Sequence, residues 1–189
     1  MRIVAMVFMA ATLLLAGCEV PEEATSGVKP LPRIYRIPAG QTATVQFRML
    51  DAINTLRQAS DAEPLELESR LTAAAATHSR DMAVQNRPWH FGSDGSSPLD
   101  RVERVGYVGE FLGETISETY ETELETLSVW MAREDTRAIL MDAQADQMGF
   151  SWYQEPSGKI WWTLVTGKSQ ELTDSERLEE ILGTGAADG

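Results

Sequence analysis

Cysteine, histidine and positive charge are all scarce in this chain, and each shortage removes a class of function. Cys18 is the only cysteine in 189 residues, so no disulfide can form within the chain and the fold must rest on its core alone. Two histidines, His78 and His90, leave little imidazole for a metal centre. The 16 Lys and Arg face 29 Asp and Glu, a formal net charge of −13, which excludes nucleic-acid binding through the net field. The same charge gives no support for electrostatic adsorption to an anionic membrane. No repeat or low-complexity segment is present. The one long apolar run, Ile3 to Leu15, is too short to span a bilayer as a stable helix. No Ser, Cys or Thr stands in a recognised nucleophile motif.

What is present begins with Arg2, the apolar run, and then Leu15-Ala16-Gly17-Cys18. A short positive region, an apolar stretch and small residues at the end read as a signal peptide over residues 1–17. The four-residue ending resembles the lipobox of bacterial lipoproteins, in which the cysteine becomes the lipidated first residue; the alternative is an ordinary signal peptide with an incidental Cys18. Removing residues 1–17 takes away only Arg2 and moves the net charge from −13 to −14. Residues 18–44, with Pro21, Pro30, Pro32 and Pro38, read as a tether holding one domain off a membrane reached through lipidated Cys18. The location expected is the bacterial cell envelope. Glu19, rather than aspartate, after the cysteine points to the outer membrane facing the periplasm.

Along residues 45–168, apolar spacing at Val45, Met49, Ile53 and Leu56 predicts a helix. A second is expected from Glu66 to Gln85, with His78 on its buried stripe beside Leu71, Ala74 and Met82. Ser97, Pro98 and Asp100 form a capping box that starts a third helix, closed by Gly106. An extended segment follows from Phe111 to Ser117, then a helix from Thr122 to about Arg133 and a loop from Glu134 to Arg137. Gln147 to Gln154 and Lys159 to Thr166 flank Glu155-Pro156-Ser157-Gly158, the pattern of a β-hairpin. Trp152, Trp161 and Trp162 suit either a sugar platform or a sheet surface under helices. Residues 169–189 read as an acidic C-terminal helix and a loose tail, opened by a capping box at Thr173 and Glu176.

The candidate site is the run Trp89-His90-Phe91-Gly92-Ser93-Asp94-Gly95-Ser96-Ser97-Pro98, followed by Gly113-Glu114-Thr115-Ile116. A loop held against a helix start presents one imidazole, and an acidic residue reaches it from elsewhere in the chain. These two motifs, with Trp130-Met131 ahead of Arg137-Ala138-Ile139-Leu140, resemble the bacterial branch of the CAP superfamily (cysteine-rich secretory proteins, antigen 5, pathogenesis-related 1). The resemblance covers Val45 to Thr166. It implies an α/β fold, a three-layer α/β/α sandwich with a small antiparallel sheet. It also implies a cleft of two histidines and two acidic residues that in some members binds a divalent metal such as zinc.

Matched residue by residue, His90 takes the place of the first histidine and Glu114 that of one acidic residue. Thr136 stands where the second histidine belongs, and the second acidic residue has no motif match, with Glu123 and Glu125 flanking its place. Threonine is a poor zinc ligand and no base near neutral pH, so metal binding would need Asp135 or Glu134 to join His90 and Glu114. The expectation is therefore a degenerate, non-catalytic binding module with no resident cofactor. Its ligand would be a lipid, a cell-wall component or an envelope protein. The alternatives are a hydrolase using His90 as general base oriented by Glu114, with Thr136 the one nucleophile worth naming, or a structural lipoprotein without a ligand.

Overall fold

A computed structural model describes residues 35–119 and 122–170. The signal peptide, Cys18, most of the expected tether and the C-terminal helix lie outside the described residues. In chain order the elements are α1 (Thr42–Gln58), β1 (Glu66–Leu67), α2 (Ser69–Gln85), α3 (Pro98–Arg104) and β2 (Glu110–Glu118). Then come α4 (Glu123–Ala132), α5 (Glu134–Leu140), β3 (Gln147–Gln154) and β4 (Ile160–Lys168).

The four strands form one sheet in the order β1-β3-β4-β2, leaving β2 on an outer edge. β3 and β4 make the expected hairpin, with Phe150 opposite Leu164 and Trp152 opposite Trp162. Its turn needs Gly158, whose φ of +101° is closed to other residues without strain. Strand alternation then sends neighbouring side chains to opposite faces. Met148, Phe150, Trp162 and Leu164 pack with Val45, Met49 and Ile53 of α1, Leu127 and Trp130 of α4 and Leu140 of α5. Val165 packs with Leu71, Ala74 and Ala75 of α2 and Val102 of α3 on the other face. The result is the expected three layers. α2 lies so close to β3 that a Cβ at Gly149 would stand 2.0 Å from the Leu71 carbonyl carbon.

Trp161 and Trp162 are fully buried, and Phe150 stacks on Trp162 at 5.7 Å with 4° between the rings. These tryptophans fill the sheet surface rather than forming a sugar platform.

Four expectations need correction. Glu66 and Leu67 begin no helix; they pair in parallel with Gln147 and Met148, so the sheet is not wholly antiparallel. α1 begins at Thr42, inside the expected tether. The preceding residues are docked: Tyr35 and Ile37 pack on the core, and Gln154 bonds the backbone of both. The stretch from Glu134 onward, expected as a loop, is α5, because extended Arg133 breaks the chain from α4 and Glu134 and Asp135 supply an acidic first turn.

One buried cation ties this layer together. Arg57 donates to the carbonyls of Glu63 (2.7 Å), Leu140 (3.0 Å), Asp142 (2.9 Å) and Ala145 (2.8 Å). It thereby holds the end of α5 and the entry to β3 against the end of α1.

Candidate functional site

The loop between α2 and α3 is built from both helices that flank it. Asp81 of α2 accepts from the Ser93 amide and hydroxyl, each at 2.6 Å. Gln85 donates to the Phe91 carbonyl at 3.1 Å and accepts from the Trp89 indole at 2.7 Å. The Gly92 amide closes onto the Ser96 carbonyl at 2.8 Å, and Gly95 turns the loop at a φ of +82°. The capping box of Ser97 and Asp100 is present, so α3 starts where the sequence places it. Hydrogen bonds from the Ser96 hydroxyl and amide, and then from Arg104, hold the Asp94 carboxyl far below the usual carboxylate range.

Arg101 projects from α3 beneath this loop. It donates to the carbonyls of His90 (3.0 Å) and Ser96 (3.1 Å), and to Glu114 Oε2 at 2.7 Å. Both side chains of that ion pair are buried. The other oxygen, Glu114 Oε1, accepts from His90 Nδ1 at 2.9 Å. A carboxylate can only accept, so Nδ1 carries the proton. Nε2 is then the working nitrogen of His90, on a ring half exposed in the cleft wall.

His78 lies directly below. Its Nε2 donates to the Trp89 carbonyl at 2.9 Å and lies 3.7 Å from Glu114 Oε1, while Nδ1 is buried without a partner. Burial pushes the His78 pKa down against the opposing pull of Glu114, which keeps the ring neutral at pH 7. His78 is thus the core histidine expected from its helix stripe, yet it touches the underside of the site.

The cleft, about 570 Å³, runs along the edge of the sheet. Five consecutive residues of β2, Glu114 to Glu118, form its floor. Pro88, Trp89 and His90 make one wall, and Val129, Trp130, Thr136 and Ile139 of α4 and α5 make the other. Thr136 therefore shares the cleft with His90, as the motif match implies. Its hydroxyl is committed to the Trp130 carbonyl at the end of α4, so it serves the helix terminus and is not poised as a nucleophile.

Asp135 also lines the cleft, but Arg133 takes both its oxygens, at 3.2 and 2.7 Å, and holds its pKa at about 2. Glu123 is buried against Arg48 of α1. Glu125 and Glu134 are exposed. Among the described residues no three His, Cys, Asp or Glu side chains converge as metal ligands. The set of His90, Glu114 and Asp135 is therefore not assembled, and a zinc ion does not fit: one carboxylate is taken by Arg101 and the other by Arg133. Sequence reading missed Arg101, since the short helix α3 has too few turns to mark its buried face. It also missed Asp81, hidden among the polar residues of α2.

A family model described as the cysteine-rich secretory protein family (CAP) matches residues 50–166. The uncharacterized protein YkwD of Bacillus subtilis is 26% identical over 121 residues, which cover 64% of this chain and 46% of that protein. This chain thus spans less than half the length of that curated relative. Among solved structures, an outer surface protein of Borrelia burgdorferi superposes with a TM-score of 0.61 at 16% identity, over 73% of this chain and 100% of that one. An extracellular SCP-domain protein of Bacillus anthracis gives a TM-score of 0.60 at 23% identity, over 67% of this chain and 41% of that one. These likenesses extend to the fold. No helix among the described residues is long and apolar enough to cross a membrane. By the extent of the family match, the chain belongs to the cysteine-rich secretory protein (CAP) family.

Proposed function

We propose that this CAP domain is a non-catalytic binding module displayed on the bacterial envelope through lipidated Cys18, and that its ligand enters the cleft beside His90. The observation that carries this reading is the state of Glu114: Arg101 and His90 occupy both of its oxygens, so it is withdrawn from metal chemistry. The rest of the cleft follows the same logic. Asp135 is matched by Arg133 and Glu118 by Lys159, which leaves a charge-balanced cleft with Ile116, Val129, Trp130 and Ile139 as its apolar surface. Such a cleft suits an uncharged or apolar ligand: a lipid chain, a cell-wall fragment or a segment of an envelope protein. The extracellular and outer-surface descriptions of the B. anthracis and B. burgdorferi proteins support an extracytoplasmic place.

One observation favours a second reading. The His90–Glu114 contact leaves Nε2 free to take a proton, as a general base acting on water would require. A single titration series separates the two. Palmitate, muropeptides and random heptapeptides are added in turn while the His90 ring is followed by NMR. The binding reading expects one class to shift His90 and to emerge chemically unchanged. Turnover of that class, abolished in His90→Ala, would replace the binding module with a hydrolase. A His90 ring silent to every class would remove both readings.

A further inference from the structure

We infer that the cleft accepts an extended, uncharged polypeptide segment, which adds to the free edge of β2 as the next strand of the sheet. This rests on the cleft being a binding site and names what it binds.

The argument begins with the register. The Thr119 amide donates to the Ile160 carbonyl, and Glu118 lies opposite Trp161. In an antiparallel pair, residues alternate between facing the partner strand and facing away. Ser117, Thr115 and Gly113 therefore direct their amides and carbonyls to β4, while Glu118, Ile116 and Glu114 direct theirs outward. The Thr166 hydroxyl on the Gly113 carbonyl and the Trp130 indole on the Ile116 carbonyl, at 3.3 Å, agree with that assignment. No strand pairs with β2 on its outer side, where it ends the sheet; the Trp130 indole of α4 takes the Ile116 carbonyl, and the Ile116 and Glu118 amides are the outward donors left for a partner.

Edge strands of this kind are normally shielded by charge, proline or a covering element, because their unpaired backbone templates another strand. Here the edge is the floor of a cleft. The residues from Glu114 to Glu118 are its consecutive lining, with the α2–α3 loop on one side and α4 and α5 on the other. The spacing of outward backbone groups, two residues apart, is the complement of a β-strand backbone, whereas an acyl chain offers them no hydrogen bond.

A further observation points to the charge of the occupant. The wall is electrically closed, since Glu114, Glu118 and Asp135 each hold a cation from within the protein. A charged segment would find no free countercharge; one bearing apolar side chains finds Ile116, Val129 and Ile139.

The test uses amide hydrogen exchange on the whole protein, with heptapeptides selected from a random phage library and resynthesised with acetyl and amide ends. In the free protein Thr115 and Ser117 should exchange slowly, and Ile116 and Glu118 fast. A selected peptide should slow Ile116 and Glu118 by at least about tenfold, a change of about 1.4 kcal/mol. N-methylation at alternate peptide positions should weaken binding by a similar factor, and at the intervening positions much less. Glu118→Pro, which deletes one outward donor that β4 does not use, should weaken the same peptide. Protection of Ile116 and Glu118 in the free protein would overturn the inference, as would failure to select any peptide that protects them. If palmitate or a muropeptide shifts His90 while no peptide protects Ile116, the strand is overturned and the binding cleft stands.

Discussion

Arg101 Nη2 lies 2.7 Å from Glu114 Oε2, with both side chains buried, and this contact fixes what the site can do. It places a permanent cation under the carboxylate and occupies an oxygen that a metal would need. Through its second branch the same guanidinium holds the His90 and Ser96 carbonyls. One side chain therefore sets the charge of Glu114 and the shape of the loop that carries His90.

Removing Arg101 should be costly. Arg101→Gln leaves Glu114 as an unmatched buried charge, and breaking such a pair costs about 3–5 kcal/mol. Denaturant unfolding should show that loss for the single variant and a clearly smaller loss for Arg101→Gln combined with Glu114→Gln. Equal losses in the two would mean that Arg101 acts through packing alone.

Arg57 offers a parallel case without a carboxylate. Arg57→Met would strip the donors from four carbonyls at once, with a desolvation cost of about 1–3 kcal/mol for each one left unsatisfied. A total loss above about 3 kcal/mol is expected, with Arg57→Lys between the two because an ammonium cannot reproduce the planar fork. Unfolding in urea measures both. A loss below about 1 kcal/mol, the size of a single neutral hydrogen bond, would contradict the role given to Arg57.

Much of this was legible beforehand, for local reasons. The α3 capping box, the Gly158 hairpin and the α2 stripe each depend on residues within a few positions of one another. The features that escaped reading are made by distant partners. Glu66 and Leu67 become a strand only because the carbonyls of Asp146 and Met148 accept the amides of Glu66 and Glu68, each at 2.8 Å. Arg101 becomes a site residue only because β2 passes over α3. His90 and Glu114 were legible as a pair through their motifs. Asp135, named from the sequence as a substitute ligand, is paired by Arg133, two residues away.

His78 makes stability depend on pH. Its folded pKa lies below the ordinary 6.5, first because of burial. Above pH 6.5 both folded and unfolded states hold it neutral. As pH falls below 6.5 the unfolded chain takes up a proton that the folded chain refuses, so stability is lost until the folded pKa is reached. Unfolding free energy should fall by up to about 1.4 kcal/mol per pH unit in that window, beyond the slope of a His78→Gln variant. Parallel slopes in the two proteins would remove His78 as the cause.

The most direct test of the central claim is a zinc titration by calorimetry on the folded wild-type protein, with Glu114→Ala beside it. Because Glu114 is held by Arg101 and Asp135 by Arg133, the wild type should give no binding heat at micromolar zinc, and Glu114→Ala should be equally silent. Tight zinc binding by the wild type, abolished in Glu114→Ala, would show that Glu114 leaves Arg101 for a metal, and would contradict the account.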